Sequence, residues 1–159
     1  MATVIPWLIA CAAFLLHRPP TADAESIATA IARTVEAHGP VFSGPDGARR
    51  TAAALLSLAF YESTLRVGVV GKQYDCGAFQ HVTRDSDECV RLRSDVDHAA
   101  DVAHADLLAS VRACPAHPLA VYARGAEGCT SAWAQRLSAG RMNMARTLLG
   151  VVAKPAVQP

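Results

Sequence analysis

The chain has 159 residues with 15 basic and 14 acidic side chains, so its formal net charge is +1. This length suits one domain with a modest core, and the charge lacks the basic excess typical of nucleic-acid-binding proteins. Alanine, leucine and valine dominate while aromatic residues make up 6%, which favours a mainly α fold. We therefore expect a helical domain and no nucleic-acid partner.

Residues 1–24 differ in composition from the rest of the chain. The apolar run from Val4 to Leu16 is too short to span a bilayer comfortably, and Ala22-Asp23-Ala24 offers the small residues of a signal-peptidase site. We predict a secretory signal cleaved before Glu25, with an N-terminal anchor as the alternative. Because Leu8-Ile9-Ala10-Cys11 resembles a lipidation site, contact with a membrane is expected only through this segment, if it is uncleaved or lipidated.

The predicted elements that follow are helices interrupted by one irregular stretch. Apolar residues at helical spacing predict helices over 25–38, from about 46 to 63, and from 96 to the Cys114-Pro115 pair. A short helix is expected over 118–122, and a last long helix or helix pair begins after Thr130 or Ser131, with Trp133 and Leu137 among its inward residues. Residues 64–93 have no clean period and predict an irregular segment with a short hairpin. The expected organisation is one domain over 25–150 and a flexible tail over 151–159.

The cysteines beyond Cys11 form an even set, namely Cys76, Cys89, Cys114 and Cys129. An even number is typical of an oxidising compartment, so we expect an exported protein of the periplasm or the extracellular space. Four cysteines allow three pairings, and proximity along the chain favours Cys76–Cys89 and Cys114–Cys129. A zinc site is the alternative, but no Cys-x-x-Cys spacing occurs and no metal is expected.

Glu62 breaks two local rules of helix sequence. It lies on the apolar stripe of its predicted helix, in line with Leu55 and Leu58, and it falls in the last turn, where the helix dipole disfavours a negative charge. Both effects favour the protonated carboxyl and predict a raised pKa. A raised pKa is what a general acid needs near neutral pH.

Two motifs downstream of Glu62 give this residue a family context. Tyr61-Glu62-Ser63 is followed by Asp75-Cys76-Gly77-Ala78-Phe79-Gln80 and later by Leu119-Ala120-Val121-Tyr122-Ala123-Arg124-Gly125. Over residues 52–125 this order resembles the lytic transglycosylase family of the lysozyme-like superfamily. In that family a Glu-Ser pair ends a helix, a Gly-x-x-Gln segment forms part of the substrate cleft, and an Ala-x-Tyr-Asn-x-Gly segment brings a tyrosine near the glutamate.

The resemblance implies a role for each matching residue. Glu62 would act as acid and then as base, while Ser63 would support Glu62 or the substrate. Gln80 would bind an N-acetyl or hydroxyl group of a sugar, and Tyr122 would orient Glu62. Gly77, which lacks a Cβ, would allow close approach of the backbone to the glycan.

Two departures from the family pattern are present. Ala123 stands where the family has asparagine, which removes one polar group from the cleft, and Cys76 would tie the cleft loop down with a disulfide. Asp75 is the best-placed second carboxylate and is expected to support the loop, or to position water in a hydrolytic enzyme. Asp97, His98, Asp101 and His104 have spacing that permits a metal site, but we interpret them as a solvated helix surface.

The resemblance implies a lysozyme-like helical domain that cleaves the β-1,4 bond between N-acetylmuramic acid and N-acetylglucosamine and forms 1,6-anhydro-muramic acid. Peptidoglycan glycan strands would be its partner, with no cofactor, and the protein is expected to be a monomer. Two alternatives stay open: a hydrolytic muramidase, and a non-catalytic wall-binding protein of the same fold.

Overall fold

The computed structural model describes residues 4–71 and 74–152. The fold is mainly α, as the composition predicted, and it contains a disulfide. The α-helices of the described residues are α1 (Val4–Leu16), α2 (Ala22–His38), α3 (Gly47–Ser63), α4 (Ser86–Ser94), α5 (Val96–Ala113), α6 (Ala120–Arg124) and α7 (Ala132–Leu149). Strands β1 (Asp75–Cys76) and β2 (His81–Val82) form an antiparallel hairpin, and a 3-10 turn (Gly125–Cys129) follows α6.

Helix α3 lies at the centre of the domain. It packs against α1, α2, α5 and α7, and every residue from Thr51 to Ala59 is buried. Four of those nine positions are alanine and three are leucine. Because alanine adds little bulk, neighbouring helices approach α3 from several sides while the leucines fill the space between them. The last turn of α3, which carries Glu62, extends beyond this buried stretch.

Side-chain caps explain where three of the long helices begin. The Thr21 hydroxyl accepts a hydrogen bond from the Ala24 amide at the start of α2. Asp95 and Ser131 do the same at the starts of α5 and α7. Each cap satisfies a backbone N–H that has no partner within its helix. Ser131 was one of the two residues predicted to precede α7, and Asp95 is the cap of α5.

The N-terminal segment packs into the same core as the rest of the domain. Trp7, Leu8, Cys11, Ala12 and Leu15 of α1 are buried, and α1 contacts both α2 and α3. The predicted cleavage site falls in the first turn of α2, where Ala24 is fully buried. Processing before Glu25 therefore stays a prediction, and in this structure the boundary proposed at 24/25 lies inside a helix.

The predicted irregular segment contains both regular and irregular backbone. The hairpin expected within 64–93 is present as β1 and β2, but α4 was not predicted. Asp85 caps α4 by accepting hydrogen bonds from the amides of Asp87 and Glu88. Only Leu92 of α4 is buried, so the helix has no apolar stripe for a periodicity argument to detect.

Two orientations predicted from periodicity are wrong. Trp133 is half exposed instead of inward, because α7 buries Ala134, Ser138, Met142, Ala145 and Leu148. His104 is buried on α5 instead of solvated, and its imidazole hydrogen-bonds the Gly39 carbonyl at 2.9 Å. None of the described helices is long and apolar enough to cross a membrane. Most of the predicted tail, from residue 153 onward, lies outside the described residues.

Candidate active site

Glu62 meets an arginine at the junction of α3 and α7. Its carboxylate forms an ion pair with the Arg141 guanidinium, and the two side chains are only 21% and 11% exposed. The helices are joined beside this pair because the Ser57 hydroxyl donates to the Arg141 carbonyl at 2.9 Å. Burial raises the pKa of the Glu62 carboxyl; Arg141 opposes the rise, and the nearby Asp75 carboxylate adds to it. The raised pKa predicted for Glu62 is thus supported, with burial as its main cause.

Arg141 is the residue at this site that sequence reasoning missed. It lies beside Met142 on the inward side of α7, so a charge interrupts a face that otherwise buries small and apolar side chains. A charged residue on the inward side of a helix was the signal that identified Glu62, and the same signal could have identified Arg141. Its Nε and Nη1 atoms are buried without a hydrogen-bond partner among the described atoms. A buried guanidinium with unused N–H groups is able to donate a hydrogen bond to a further acceptor, such as an oxygen of a ligand.

The hairpin carries Asp75 to the neighbourhood of Glu62. Asp75 pairs with Val82 in the hairpin register, and its backbone carbonyl accepts a hydrogen bond from the Gly71 amide at 2.8 Å. Partial burial raises the pKa of the Asp75 carboxyl. A second carboxyl of raised pKa therefore lies close to Glu62, while the supporting role expected of Asp75 stays a prediction.

Gln80 is held at the turn of this hairpin in an unusual conformation. Its φ is 51°, and its side-chain amide donates to the Gly77 carbonyl at 2.8 Å. The Gln80 Oε1 atom occupies the space beside Gly71, where a Cβ would come within 2.1 Å of it. The side chain is therefore fixed by its own loop, which leaves its partly exposed surface for contact with a ligand.

Tyr122 links this loop to α6. Its hydroxyl donates a hydrogen bond to the Phe79 carbonyl, next to Gln80, and not to Glu62. Burial raises the pKa of the Tyr122 phenol well above its ordinary value, and the Glu62 carboxylate is the strongest of the charges that add to this rise. Tyr122 and Glu62 are therefore neighbours, but any orientation of Glu62 by Tyr122 acts through packing and charge in this structure.

Ser63 and Gly77 have structural explanations that the family resemblance did not supply. Ser63 is 2% exposed, and its hydroxyl donates to the Ala59 carbonyl and accepts from the Arg66 amide. Gly77 has a φ of 75°, and a Cβ there would lie 2.3 Å from the Leu92 carbonyl oxygen. Ser63 therefore closes the end of α3, and Gly77 lets α4 pack against the hairpin. The roles that the family resemblance implies for these two residues stay predictions.

The two predicted disulfides have different outcomes. Cys76 and Cys89 are bonded and tie β1 to α4. Cys114 and Cys129 are free thiols in this structure, although a hydrogen bond between them raises the pKa of Cys129. The pairing Cys114–Cys129 is therefore corrected to two neighbouring thiols. The Cys11 thiol is buried and donates to the Leu148 carbonyl, and burial raises its pKa to about 12.

Backbone strain concentrates around the same residues. Four of the five non-glycine residues with positive φ in the described chain are Thr64, Leu65, Tyr74 and Gln80. The first two follow Glu62 and Ser63, and the other two lie on either side of the Asp75–Phe79 stretch. Such conformations cost roughly 1–3 kcal/mol each and cluster at functional sites. Their placement supports a functional role for the region that joins α3 to the hairpin.

A histidine–aspartate pair adjoins this region. His81 Nδ1 lies 2.8 Å from Asp106 Oδ2, and this hydrogen bond is the main reason that the pKa of His81 is raised. Together with Gln80 and Tyr122, the pair lines a cavity of about 290 Å³. Sequence reasoning did not identify His81 or Asp106, although His81 directly follows Gln80.

The four polar residues of α5 bind separate partners and form no common centre. Asp97 pairs with Arg33, and Asp101 contacts Thr34 and His38. His98 hydrogen-bonds Glu88 at 2.7 Å. Asp97, His98 and Asp101 therefore make contacts between helices, while His104 lies in the core.

No protein-family model matches the chain, and no curated protein or solved structure is similar enough to it to count as a relative. A partly buried carboxyl of raised pKa beside a guanidinium and a second carboxyl is able to donate a proton and to remain stable as the resulting carboxylate.

Proposed function

We propose that the protein is a peptidoglycan lytic transglycosylase with Glu62 as its single catalytic carboxyl. The observation that carries the proposal is the raised pKa of Glu62, at a partly buried position next to Asp75 and Tyr122. The order of Glu62, Gln80 and Tyr122 along the chain resembles that family. The strained backbone at Thr64, Leu65 and Gln80 adds support, because strain of this kind collects at functional sites.

In the proposed reaction, Glu62 first donates its proton to the glycosidic oxygen between N-acetylmuramic acid and N-acetylglucosamine. The bond from the muramic C1 to that oxygen breaks, and the oxygen leaves as a hydroxyl on the departing sugar. The 6-hydroxyl of the same muramic residue then attacks C1 and forms the 1,6-anhydro ring, while the Glu62 carboxylate takes the hydroxyl proton. Arg141 stabilises Glu62 between the two steps, when the carboxyl carries a negative charge.

A substrate that covers Glu62 would strengthen its role as an acid. The Glu62 side chain is still 21% exposed, and displacing that water disfavours the charged form further. The muramic 6-hydroxyl is tethered to the reacting sugar, so its attack has a high effective concentration. No cofactor is needed for this chemistry, and the polymer itself is the partner of a monomeric enzyme.

A hydrolytic muramidase is the second candidate, because Asp75 lies near enough to Glu62 to raise its pKa. In that reaction Asp75 would position a water molecule, and the product would keep a reducing end. A non-catalytic wall-binding protein is the third, since Ala123 replaces the family's asparagine and Arg141 favours the charged form of Glu62.

Export to the periplasm or the extracellular space is proposed with this function. The Cys76–Cys89 disulfide is compatible with an oxidising compartment. An enzyme that cleaves peptidoglycan must also reach the wall, and residues 1–24 would direct that export. The intact mass of the protein isolated from its host shows whether this segment is removed, retained or lipidated at Cys11.

Digestion of isolated peptidoglycan sacculi tests the three candidates together. We expect soluble muropeptides that end in 1,6-anhydro-muramic acid and are lighter than hydrolysis products by one water. Reducing ends throughout, with activity lost on Asp75→Asn, would instead establish the muramidase. Absence of soluble products while the protein sediments with sacculi would leave wall binding as its function.

A further inference from the structure

A second cavity, of about 380 Å³, lies away from Glu62 between the start of α3 and the middle of α7. Its charged or titratable lining residues are Arg50, His117 and Arg146. No carboxylate is among the described residues that line it, although the whole chain has almost as many acidic as basic side chains. The cavity therefore has two permanently charged arginine side chains and no described carboxylate in its lining to offset them.

Neutral contacts hold both arginines in place. The Arg50 guanidinium lies 5.1 Å from the centre of the Phe42 ring and donates to the Ser43 carbonyl at 3.4 Å. Arg146 donates to the Asn143 side-chain oxygen at 2.6 Å. A guanidinium has five N–H donors, so each contact positions the group and leaves most of its donors unused, and neither arginine pairs with a carboxylate of residues 4–71 or 74–152.

The rest of the cavity wall is largely apolar. Val111, Pro115, Pro118 and Met142 line it, and the Ser138 hydroxyl at its edge already accepts a hydrogen bond from the Leu119 amide. At about 30 Å³ per water, a volume of about 380 Å³ has room for an anion together with a small organic group. Pockets of this size with a few convergent polar groups are typical of small-molecule sites.

We propose that this cavity binds a phosphomonoester through Arg50, Arg146 and His117. A phosphate ester carries nearly two negative charges at neutral pH and three acceptor oxygens, which matches two forked guanidinium groups and an imidazole better than a single carboxylate does. Arginine is suited to phosphate because its planar fork donates two parallel hydrogen bonds. The proposal does not rest on the function of Glu62, and its test does not measure glycan cleavage.

Isothermal titration calorimetry of the full chain with glycerol 3-phosphate, inorganic phosphate and sodium acetate tests the proposal at constant ionic strength. We expect saturable binding of glycerol 3-phosphate and no saturable binding of acetate. Equal affinity for inorganic phosphate would identify free phosphate as the ligand, while tighter binding of the ester would show that the apolar wall contributes. Absence of saturation with both phosphates would overturn the proposal.

Variants distinguish specific binding in this cavity from non-specific attraction of an anion to positive charge. Arg50→Gln and Arg146→Gln should each weaken binding of glycerol 3-phosphate by at least about fivefold, since each removes a charge-assisted hydrogen bond. Arg136→Gln is the matched control, because Arg136 is exposed on α7 and does not line the cavity. An equal loss in Arg136→Gln would contradict the proposal, whereas Glu62→Gln should bind like the native protein. Circular dichroism of each variant confirms that the fold is retained.

Discussion

Among the described residues, two arginine–carboxylate pairs join neighbouring helices, and they differ chiefly in burial. Arg141 and Glu62 connect α7 to α3 with side chains that are 11% and 21% exposed. Arg33 and Asp97 connect α2 to α5 at 3.1 Å, with exposures of 66% and 50%. The residue chemistry is nearly the same in the two pairs, but only the Arg141–Glu62 pair is mostly shielded from water, and burial raises the pKa of the Glu62 carboxyl.

The difference shows how much water decides the behaviour of a charge. Around Arg33 and Asp97, solvent screens the attraction, so such a pair contributes from about 0 to 1 kcal/mol. Around Arg141 and Glu62, little water is left to solvate either group, and each depends on the other. A partly buried carboxyl such as Glu62 is therefore available for proton transfer, while an exposed carboxylate such as Asp97 is solvated by water.

Glu62→Gln should give the largest effect on function. The amide keeps the shape of the side chain but has no proton to donate, so cleavage of sacculi should fall at least about 100-fold. Asp97→Asn, which makes the same change in the exposed pair, should keep near-native activity. Release of muropeptides by the two variants decides the matter, and clearing by Glu62→Gln at the native rate would falsify the assignment.

Arg141→Met should give the largest effect on stability. Removing one partner of a buried pair costs about 3 kcal/mol or more, whereas Arg33→Met should cost less than about 1 kcal/mol. Urea unfolding followed by circular dichroism measures both. The double variant Glu62→Gln/Arg141→Met should recover part of the loss, because neither charge is then left alone. Equal losses in Arg141→Met and Arg33→Met would show that burial does not separate the pairs.

The loss in Arg141→Met should also depend on pH. Without the guanidinium, only burial and Asp75 act on Glu62, so its pKa rises further. A carboxyl with a raised pKa favours the folded state while it is protonated, and this advantage disappears as pH rises through the folded-state pKa. The stability difference from the native protein should therefore grow from acidic to alkaline pH.

Asp75→Asn tests the third charge near the buried pair. Asp75 raises the pKa of Glu62, so its removal should lower that pKa and move the alkaline limb of the pH–activity profile to lower pH. Arg141→Met should move the same limb to higher pH. Opposite shifts would identify Glu62 as the group that must be protonated, and an unchanged limb in both variants would argue against that role.

Asp106→Asn should give the smallest effect, since the His81–Asp106 pair is intermediate in exposure at 29% and 38%. The pKa of His81 is raised chiefly by its hydrogen bond with Asp106. This contribution is present below the unfolded-state pKa of histidine and is lost as pH rises through the folded-state value. The variant should lose less than about 1 kcal/mol at about pH 5.5 and nothing near pH 9, as measured by urea unfolding.

Local signals made several elements predictable. The Ser131 cap of α7 follows from a residue type that acts within one turn of helix, and the limits of α3 were predicted from its apolar spacing. The Cys76–Cys89 bond closes a separation of only 13 residues. Cys114 and Cys129 are almost as close along the chain but are not bonded, so proximity in sequence was not sufficient to predict pairing.

Other features left no local signal. Helix α4 buries only Leu92, so no apolar period marks it. His104 reads as a surface residue on α5, yet the Gly39 carbonyl lies against its imidazole in the core. Gly77 reads as a loop residue near a ligand, yet the Leu92 carbonyl occupies the place of its missing side chain. For His104 and Gly77, the neighbour that decides the role is not adjacent in sequence and is brought close by the fold.

The sequence by itself determined a mainly helical chain and singled out Glu62 as a carboxyl in an unfavourable position. Helical periodicity and helix-end electrostatics are properties of a few consecutive residues, so both can be recognised without a fold. Only the tertiary structure decided that Arg141 pairs with Glu62 and that Asp75 adds to the rise in its pKa. Desolvation and charge pairing depend on which groups surround an atom in space, and residues 62 and 141 become neighbours only when α3 and α7 pack together.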